Sequence, residues 1–279
     1  MAVLTLEPPK PSIYSLFTFG DSYTTTFFNT SDVQPSPSNP MGNPQLGHGT
    51  AADGINWVGY LATEYNKTLV LNYNLAVYGA TVNNTIVSNE PEDLVYQVSR
   101  NFYPHYGCAS FASSQEWTPD TSLFAIWIGI NDIQFSYLDS DPYEKTPLVL
   151  ESYFRLLHEL YQCGARRFLL LNVPPASRTP KMLSRDPWHR YAHRKVVHEF
   201  NRQLQGAVSK WSIEHDDTSM ALYDTWSFMT DILDNPREYG FADNSCIGEG
   251  CIWWDGYHPR SAFHRLLAAD IQRNIKLGF

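Results

Sequence analysis

Nowhere in these 279 residues does an apolar run approach the roughly 18 positions that a membrane-crossing helix requires. The opening residues, 1–11, also lack the pattern of a secretory leader, because prolines interrupt a short apolar start. Positive charge is scarce: 20 Lys and Arg stand against 29 Asp and Glu, a net charge of −9. That balance argues against the basic face that nucleic acid demands, and it repels anionic membranes and polyanions, leaving neutral substrates as the expectation. Two nucleotide-binding loops, Gly-x-x-x-x-Gly-Lys and Gly-x-Gly-x-x-Gly, are absent, as is the His-Glu-x-x-His of zinc hydrolases. The Gly-x-Ser-x-Gly elbow of α/β-hydrolases is missing too. No cofactor and no metal is therefore expected.

Cysteine is sparse, but its count of 4 is even, which fits two disulfides in an oxidising compartment. Three sequons, at Asn29, Asn66 and Asn83, would each accept a glycan there. Together these features predict a secreted, extracellular protein whose leader has been removed, Met1 being an added start.

With 43% apolar and 18% charged residues the chain reads as globular, and its length suits a single α/β domain over 1–279. Short apolar runs rich in β-branched and aromatic residues occupy 14–19, 69–73, 122–128, 167–173 and 219–223. Helix-periodic stretches fall between and after them, at 55–65, 92–102, 148–163, 187–211 and 261–275. Near-continuous apolar strands alternating with helices predict a five-stranded parallel sheet covered on both faces, a flavodoxin-like three-layer α/β/α fold. Ligands in such sheets bind beyond the strands' carboxyl ends. Two Pro-, Asn- and Gly-rich stretches, 29–50 and 234–250, fall outside the scaffold, and the first is expected to line a site.

Four turns carry chemistry. Gly20-Asp21-Ser22-Tyr23 follows the first strand, where a glycine turn exposes a serine hydroxyl and its N–H; alone the tetrapeptide is also ordinary turn chemistry. Near the C-terminus lies Asp255-Gly256-Tyr257-His258-Pro259. An acid three residues before a histidine can curl back, bond the imidazole and fix its tautomer for proton abstraction, although a helix cap beside a surface His has the same spacing. Gly129-Ile130-Asn131-Asp132 follows the third strand, where the Asn131 amide can donate to an oxyanion. Asn74-Leu75-Ala76-Val77-Tyr78-Gly79-Ala80 follows the second, with Gly79 offering an unhindered backbone N–H.

From Gly20 to His258 the chain resembles the SGNH (GDSL-type) hydrolases. The resemblance implies Ser22 as nucleophile, His258 as base, Asp255 as its acid partner, and an oxyanion hole of the Ser22 and Gly79 N–H groups with Asn131. The stretch 54–61 is similar to the family's segment between the first two blocks. One departure is Tyr23 where the family has leucine, a position that packs rather than reacts. The long insertion after Gly-Asp-Ser-Tyr and Trp253-Trp254-Asp255 are closest to fungal carbohydrate esterases of family sixteen, acetylesterases of acetylated sugars and xylo-oligosaccharides. That resemblance implies a small or oligosaccharide acetyl ester as substrate; a monomer without nucleic acid or membrane is expected. Trp254, Asp21 and Tyr23 are the candidates to touch substrate; tryptophans at 253 and 254 are suited either to stack on a sugar ring or to fill the core.

Cys246 and Cys251 bracket two glycines that let the chain turn back, so a local disulfide is expected; Cys108 and Cys163 remain by elimination. His189, His193 and His198 lie along one helical stretch without supporting acids, which reads as a solvated face rather than a zinc site. The rival within the same chemistry is a lipase or phospholipase, against which stands the lack of an amphipathic lid. An inactive sugar-binding module is the rival from another class, at odds with a complete catalytic set.

Overall fold

The computed structural model describes residues 13–107 and 117–279. In chain order the elements are β1 (Ile13–Gly20), α1 (Trp57–Thr63), β2 (Leu69–Asn74), α2 (Leu94–Tyr96), a π-helical stretch (Gln97–Phe102), α3 (Tyr103–Tyr106), β3 (Ser122–Trp127) and α4 (Ile130–Ser136). There follow α5 (Lys145–Gln162), β4 (Arg167–Leu171), α6 (Pro180–Leu183), α7 (Pro187–Glu214), β5 (Ser219–Tyr223), α8 (Thr225–Asp234) and α9 (Ser261–Asn274). Each expected strand is present, its ends displaced by at most two residues. Helices α3, α4, α6 and α8 lie outside the expected helical stretches.

All strands pair in parallel, in the order β2-β1-β3-β4-β5. This is the doubly wound order expected from the alternation of strands and helices. α1 packs on α9 and α5 on α7. Right-handed crossovers put these two pairs on opposite faces of the sheet. Every residue of β3 is buried, as the middle strand of a sheet covered on both sides must be. On one face Phe17 stacks between Tyr73 of β2 at 4.9 Å and Phe124 of β3 at 5.0 Å, with Phe102 edge-on at 5.3 Å. Such ring pairs add about 0.5–1.5 kcal/mol beyond their area, and here they tie three strands to the segment that crosses them.

The long stretch 29–50 does a different job from the one expected of most of it. Asn72 of β2 donates its N–H to the Pro40 carbonyl at 2.9 Å, so the loop occupies the outer edge of the sheet. An exposed edge would offer unpaired ladder groups to another chain, and the loop removes that hazard. Only its first residues, Asn29 and Thr30, reach a groove beside the strand ends.

Candidate active site

β1 ends at Gly20 with φ +140, and an added Cβ there would lie 2.1 Å from the Trp127 carbonyl oxygen. Only glycine lets the chain turn this close to β3. The turn is then clamped. Gln97, fully buried in the π-helical stretch, accepts from the Gly20 N–H at 2.9 Å and donates to the Gly20 carbonyl at 2.8 Å. The Thr24 and Thr25 N–H groups both donate to the Asp21 carbonyl. The side-chain amides of Asn56 and Asn74 both reach the Thr24 carbonyl at 2.7 Å. Ser22 is thus presented from a rigid support.

Asp255 folds the C-terminal segment back on itself. Its Oδ1 accepts the N–H groups of Tyr257 and His258, each at 2.7 Å, and its Oδ2 meets His258 Nδ1 at 2.8 Å. His258 Nε2 lies 2.9 Å from Ser22 Oγ across 236 residues of sequence. Burial works to raise the Asp255 pKa, but the bonds from the His258 ring and the two N–H groups prevail and hold it at about 2. The carboxylate therefore stays ionised and fixes Nδ1 as the protonated nitrogen, leaving Nε2 to accept the serine proton. Aromatic rings enclose the imidazole: Tyr78 at 5.3 Å, Tyr257 at 5.7 Å and Tyr23 at 5.8 Å.

The two oxyanion candidates from the second and third strands are stapled together. Asn131, in the first turn of α4, gives one amide hydrogen to the Ala80 carbonyl at 2.9 Å and retains the other. Its neighbour Asp132 accepts the Val82 N–H on both carboxyl oxygens, at 3.0 and 3.2 Å. Gly79 sits at φ +81, with its carbonyl held by the Asn89 amide at 2.6 Å. Neither the Ser22 nor the Gly79 N–H has an acceptor among the described residues.

The remaining site expectations divide. Asp21 and Tyr23 do not fit as substrate contacts: they are 1% and 2% exposed, and the Tyr23 hydroxyl donates to the Tyr257 carbonyl at 2.6 Å. Burial, opposed by the bond from the Tyr23 N–H, raises the Asp21 pKa to about 8. Asp132 is raised by burial to about 7. Trp253 is core, its indole donating to the Asn244 carbonyl at 2.9 Å, whereas Trp254 is 43% exposed beside Asp255 with the Arg260 guanidinium 5.6 Å from its ring.

The Cys246–Cys251 disulfide is formed, with Cα atoms 5.4 Å apart. Cys163 is buried at the end of α5, and the expected partner Cys108 lies outside the described residues. Among the sequons, Asn29 is exposed with its amide nitrogen unengaged. Asn66 donates to the Ala62 and Thr68 carbonyls and Asn83 to the Ser152 hydroxyl, so glycans at either would displace existing bonds.

The solvated-face reading of the helical histidines is corrected at His193, which is fully buried beside Tyr137. It belongs to the apolar stripe Val196, Val197, Phe200 and Leu204 of α7, and burial lowers its pKa to about 4. No group of three or more His, Cys, Asp or Glu among the described residues is placed to hold a metal.

A parallel sheet that sets a serine at the end of its first strand, in hydrogen-bonded series with a histidine and an aspartate from the loop before the last helix, defines a serine hydrolase. Residues 16–271 match the GDSL-like lipase/acylhydrolase family, and the chain belongs to it. An acetylesterase of Thermothelomyces thermophilus is 37% identical over 268 residues, covering 95% of this chain and 89% of that one. An acetylxylan esterase from Geobacillus stearothermophilus superposes with a TM-score of 0.53 at 18% identity, over 95% of this chain and 94% of that one. A lipolytic protein of the G-D-S-L family from Veillonella parvula gives a TM-score of 0.50 at 17% identity, over 94% and 98%. These two structures agree on the fold.

The sequence alone did not single out Gln97, the role of Asp132, or Tyr78. Asp132 adjoins the oxyanion candidate Asn131, and Tyr78 is an aromatic in the turn that carries Gly79. Gln97 carried no signal, since its partner lies 77 residues away.

Proposed function

We propose that this ester hydrolase removes acetyl groups from sugars and short xylo-oligosaccharides through an acyl-enzyme, and that it works outside the cell. The observation that carries the chemistry is the unbroken series Asp255–His258–Ser22, with links of 2.8 and 2.9 Å. Ser22 Oγ attacks the ester carbonyl as His258 Nε2 takes its proton. The Ser22 N–H, the Gly79 N–H and the free Asn131 amide hydrogen receive the oxyanion. His258 then returns the proton to the leaving alcohol, and a water activated by the same ring frees acetate.

The choice of acyl group and alcohol is supported by the likeness to the Thermothelomyces acetylesterase and by the surface next to the triad. A groove of about 610 Å³ runs beside Tyr78, carrying Phe27, Phe28, Glu90, Glu92 and Asn101. Aromatic rings among hydrogen-bonding groups suit a sugar. A long acyl chain laid there would strip water from Glu90 and Glu92 without offering them a partner, which disfavours the lipase reading. The disulfide supports an oxidising compartment, and a glycan at Asn29 would border the groove.

The test is acyl-chain length. Burying a methylene ordinarily gains about 0.8 kcal/mol, so a lipase improves as p-nitrophenyl esters lengthen. In a site shaped for acetate, each added methylene displaces the carbonyl from its donors, and such misplacement is expensive in rate. The expected result is kcat/KM falling steeply from acetate to butyrate and negligible by octanoate. An optimum at octanoate or beyond would overturn the acetyl assignment while leaving the triad in place.

A further inference from the structure

We infer that a second site, for a carboxylate-bearing sugar ring, lies next to the catalytic loop in a cavity of about 560 Å³ lined by Arg178, Arg190, Arg194, Tyr191, Trp226 and Thr230. The chain as a whole is acidic, yet residues 178–195 hold six of its 20 Lys and Arg (Arg178, Lys181, Arg185, Arg190, Arg194 and Lys195) against a single acid, Asp186. Arg178 is paired at 2.7 Å with Asp234, an acid that also lines the cavity, so the uncompensated positive charge of the wall is that of Arg190 and Arg194. Arg190 and Arg194 have no carboxylate partner among the described residues. Two atoms in the cavity wall, Arg190 Nε and Thr230 Oγ1, are enclosed and have no hydrogen-bond partner among the described residues. A donor shut away from both water and acceptor is destabilising, and a small shift of the Arg190 side chain that brings its Nε against a bound anion removes that cost.

Guanidinium groups bind a carboxylate through paired, planar hydrogen bonds. The rest of the lining favours a ring over a bare inorganic anion, because Tyr191, Trp226, Leu183 and Pro187 offer apolar and aromatic surface. The net charge of −9 does not forbid this. Fields from exposed charges fade within a Debye length of about 10 Å at 0.1 M salt, so the local guanidinium groups dominate on contact.

The cavity is one short helix away from the chemistry. In α6 the Lys181 N–H donates to the Gly256 carbonyl at 2.7 Å, and the Lys181 ammonium lies 5.2 Å from the Tyr257 ring. Arg178, just before α6, and Leu183, at its end, face the cavity. An oligosaccharide whose uronate branch is held here keeps the sugars next to it close to Ser22. The identity of the ring rests on the carbohydrate-esterase reading above, whereas the anion site does not.

The intact protein is titrated with D-glucuronate, D-glucose and inorganic phosphate, following tryptophan fluorescence and heat. Glucuronate is expected to bind about tenfold or more tighter than either of the others, and to weaken as salt is raised to about 0.5 M. The variant Arg190→Gln/Arg194→Gln should lose glucuronate binding about tenfold or more, with hydrolysis of p-nitrophenyl acetate unchanged. If that variant fails to fold, Arg194→Gln alone, at an exposed position, should lose part of the affinity. Equal binding of glucose and glucuronate, phosphate binding as tight as glucuronate, or wild-type affinity in a folded variant would each overturn the proposal. Absence of p-nitrophenyl acetate hydrolysis in the unmodified protein would instead strike the esterase reading and leave the binding result standing.

Discussion

Asn131 and Asp132 stand side by side in the first turn of α4, and the fold asks opposite things of them. Asp132 is sealed in, tying α4 to the Val82 N–H, while Asn131 keeps one amide hydrogen for the site. Removing that hydrogen by Asn131→Ala should lower kcat about 10²–10³-fold with little change in KM, because an oxyanion donor acts mainly in the transition state. Steady-state kinetics on p-nitrophenyl acetate reads the split, and a raised KM at unaltered kcat would make Asn131 a ground-state contact instead. Ser22→Ala should abolish turnover without changing the unfolding midpoint, and a few per cent of residual activity in clean protein would remove Ser22 from its role. That Ser22, Asp255 and His258 meet was legible in the sequence because the features are local: a glycine turn after a strand, and an acid that folds back three residues onto a histidine. Gln97 was not, because its duty is to a peptide group far away in the chain. Gln97→Ala would leave the Gly20 N–H buried and unpaired, a penalty of about 1–3 kcal/mol before any cavity is counted. Chemical denaturation should register that loss.

At the scale of elements, the strands were legible because each is a short, wholly apolar run, and the largest helices because their stripes are long. α6 spans only four residues and α4 seven, too few for periodicity to rise above chance. α8 carries a stripe of Thr225, Met229, Ile232 and Leu233, but it follows β5 so directly that the two apolar runs merge. Loops behaved less predictably: 29–50 closes a sheet edge through a carbonyl, a role no side-chain pattern encodes. The segment 246–259 was better marked. Cys246–Cys251 shapes a loop that bridges Ile247 to Trp253, and Trp253 in turn bridges Pro259, next to His258. Four residues lie between the cysteines, so the loop-entropy gain is small compared with that of a long-range crosslink. Cys246→Ser/Cys251→Ser should therefore lower kcat/KM more, in proportion, than it lowers the melting temperature. A large fall in melting temperature with full activity would show that the bridge serves stability rather than the site.

For the whole molecule, four buried titratable groups set how stability varies with pH, and they pull in two directions. Burial raises Asp21 from 3.8 to about 8 and Asp132 from 3.8 to about 7. Between those limits the folded chain binds more protons than the unfolded one. The contribution of this pair is complete below 3.8 and is lost as pH rises through 7 and 8. Burial lowers His193 from 6.5 to about 4 and His264 from 6.5 to about 3. Here the unfolded chain binds the extra protons, so this contribution is complete above 6.5 and is lost as pH falls through 4 and 3. The two pairs offset one another between about 4 and 6.5; above that the histidines are neutral in both states and only the carboxylates act. Asp255, held at about 2, enters only below 3.8. The melting temperature should therefore run nearly level from about pH 4 to 6.5 and then decline through pH 8. Asp21→Asn, which keeps an oxygen for the Tyr23 N–H but cannot ionise, removes one of the two falling contributions, so the variant's melting temperature should rise from about pH 4 to 6.5 instead of running level, and most of the decline between pH 7 and 8 should disappear. Calorimetric scans across this range decide the matter. A melting temperature that climbs steadily to pH 8, or an unchanged slope in the Asp21→Asn variant, would mean that Asp21 is charged in the folded protein and that something beyond its backbone bond compensates it.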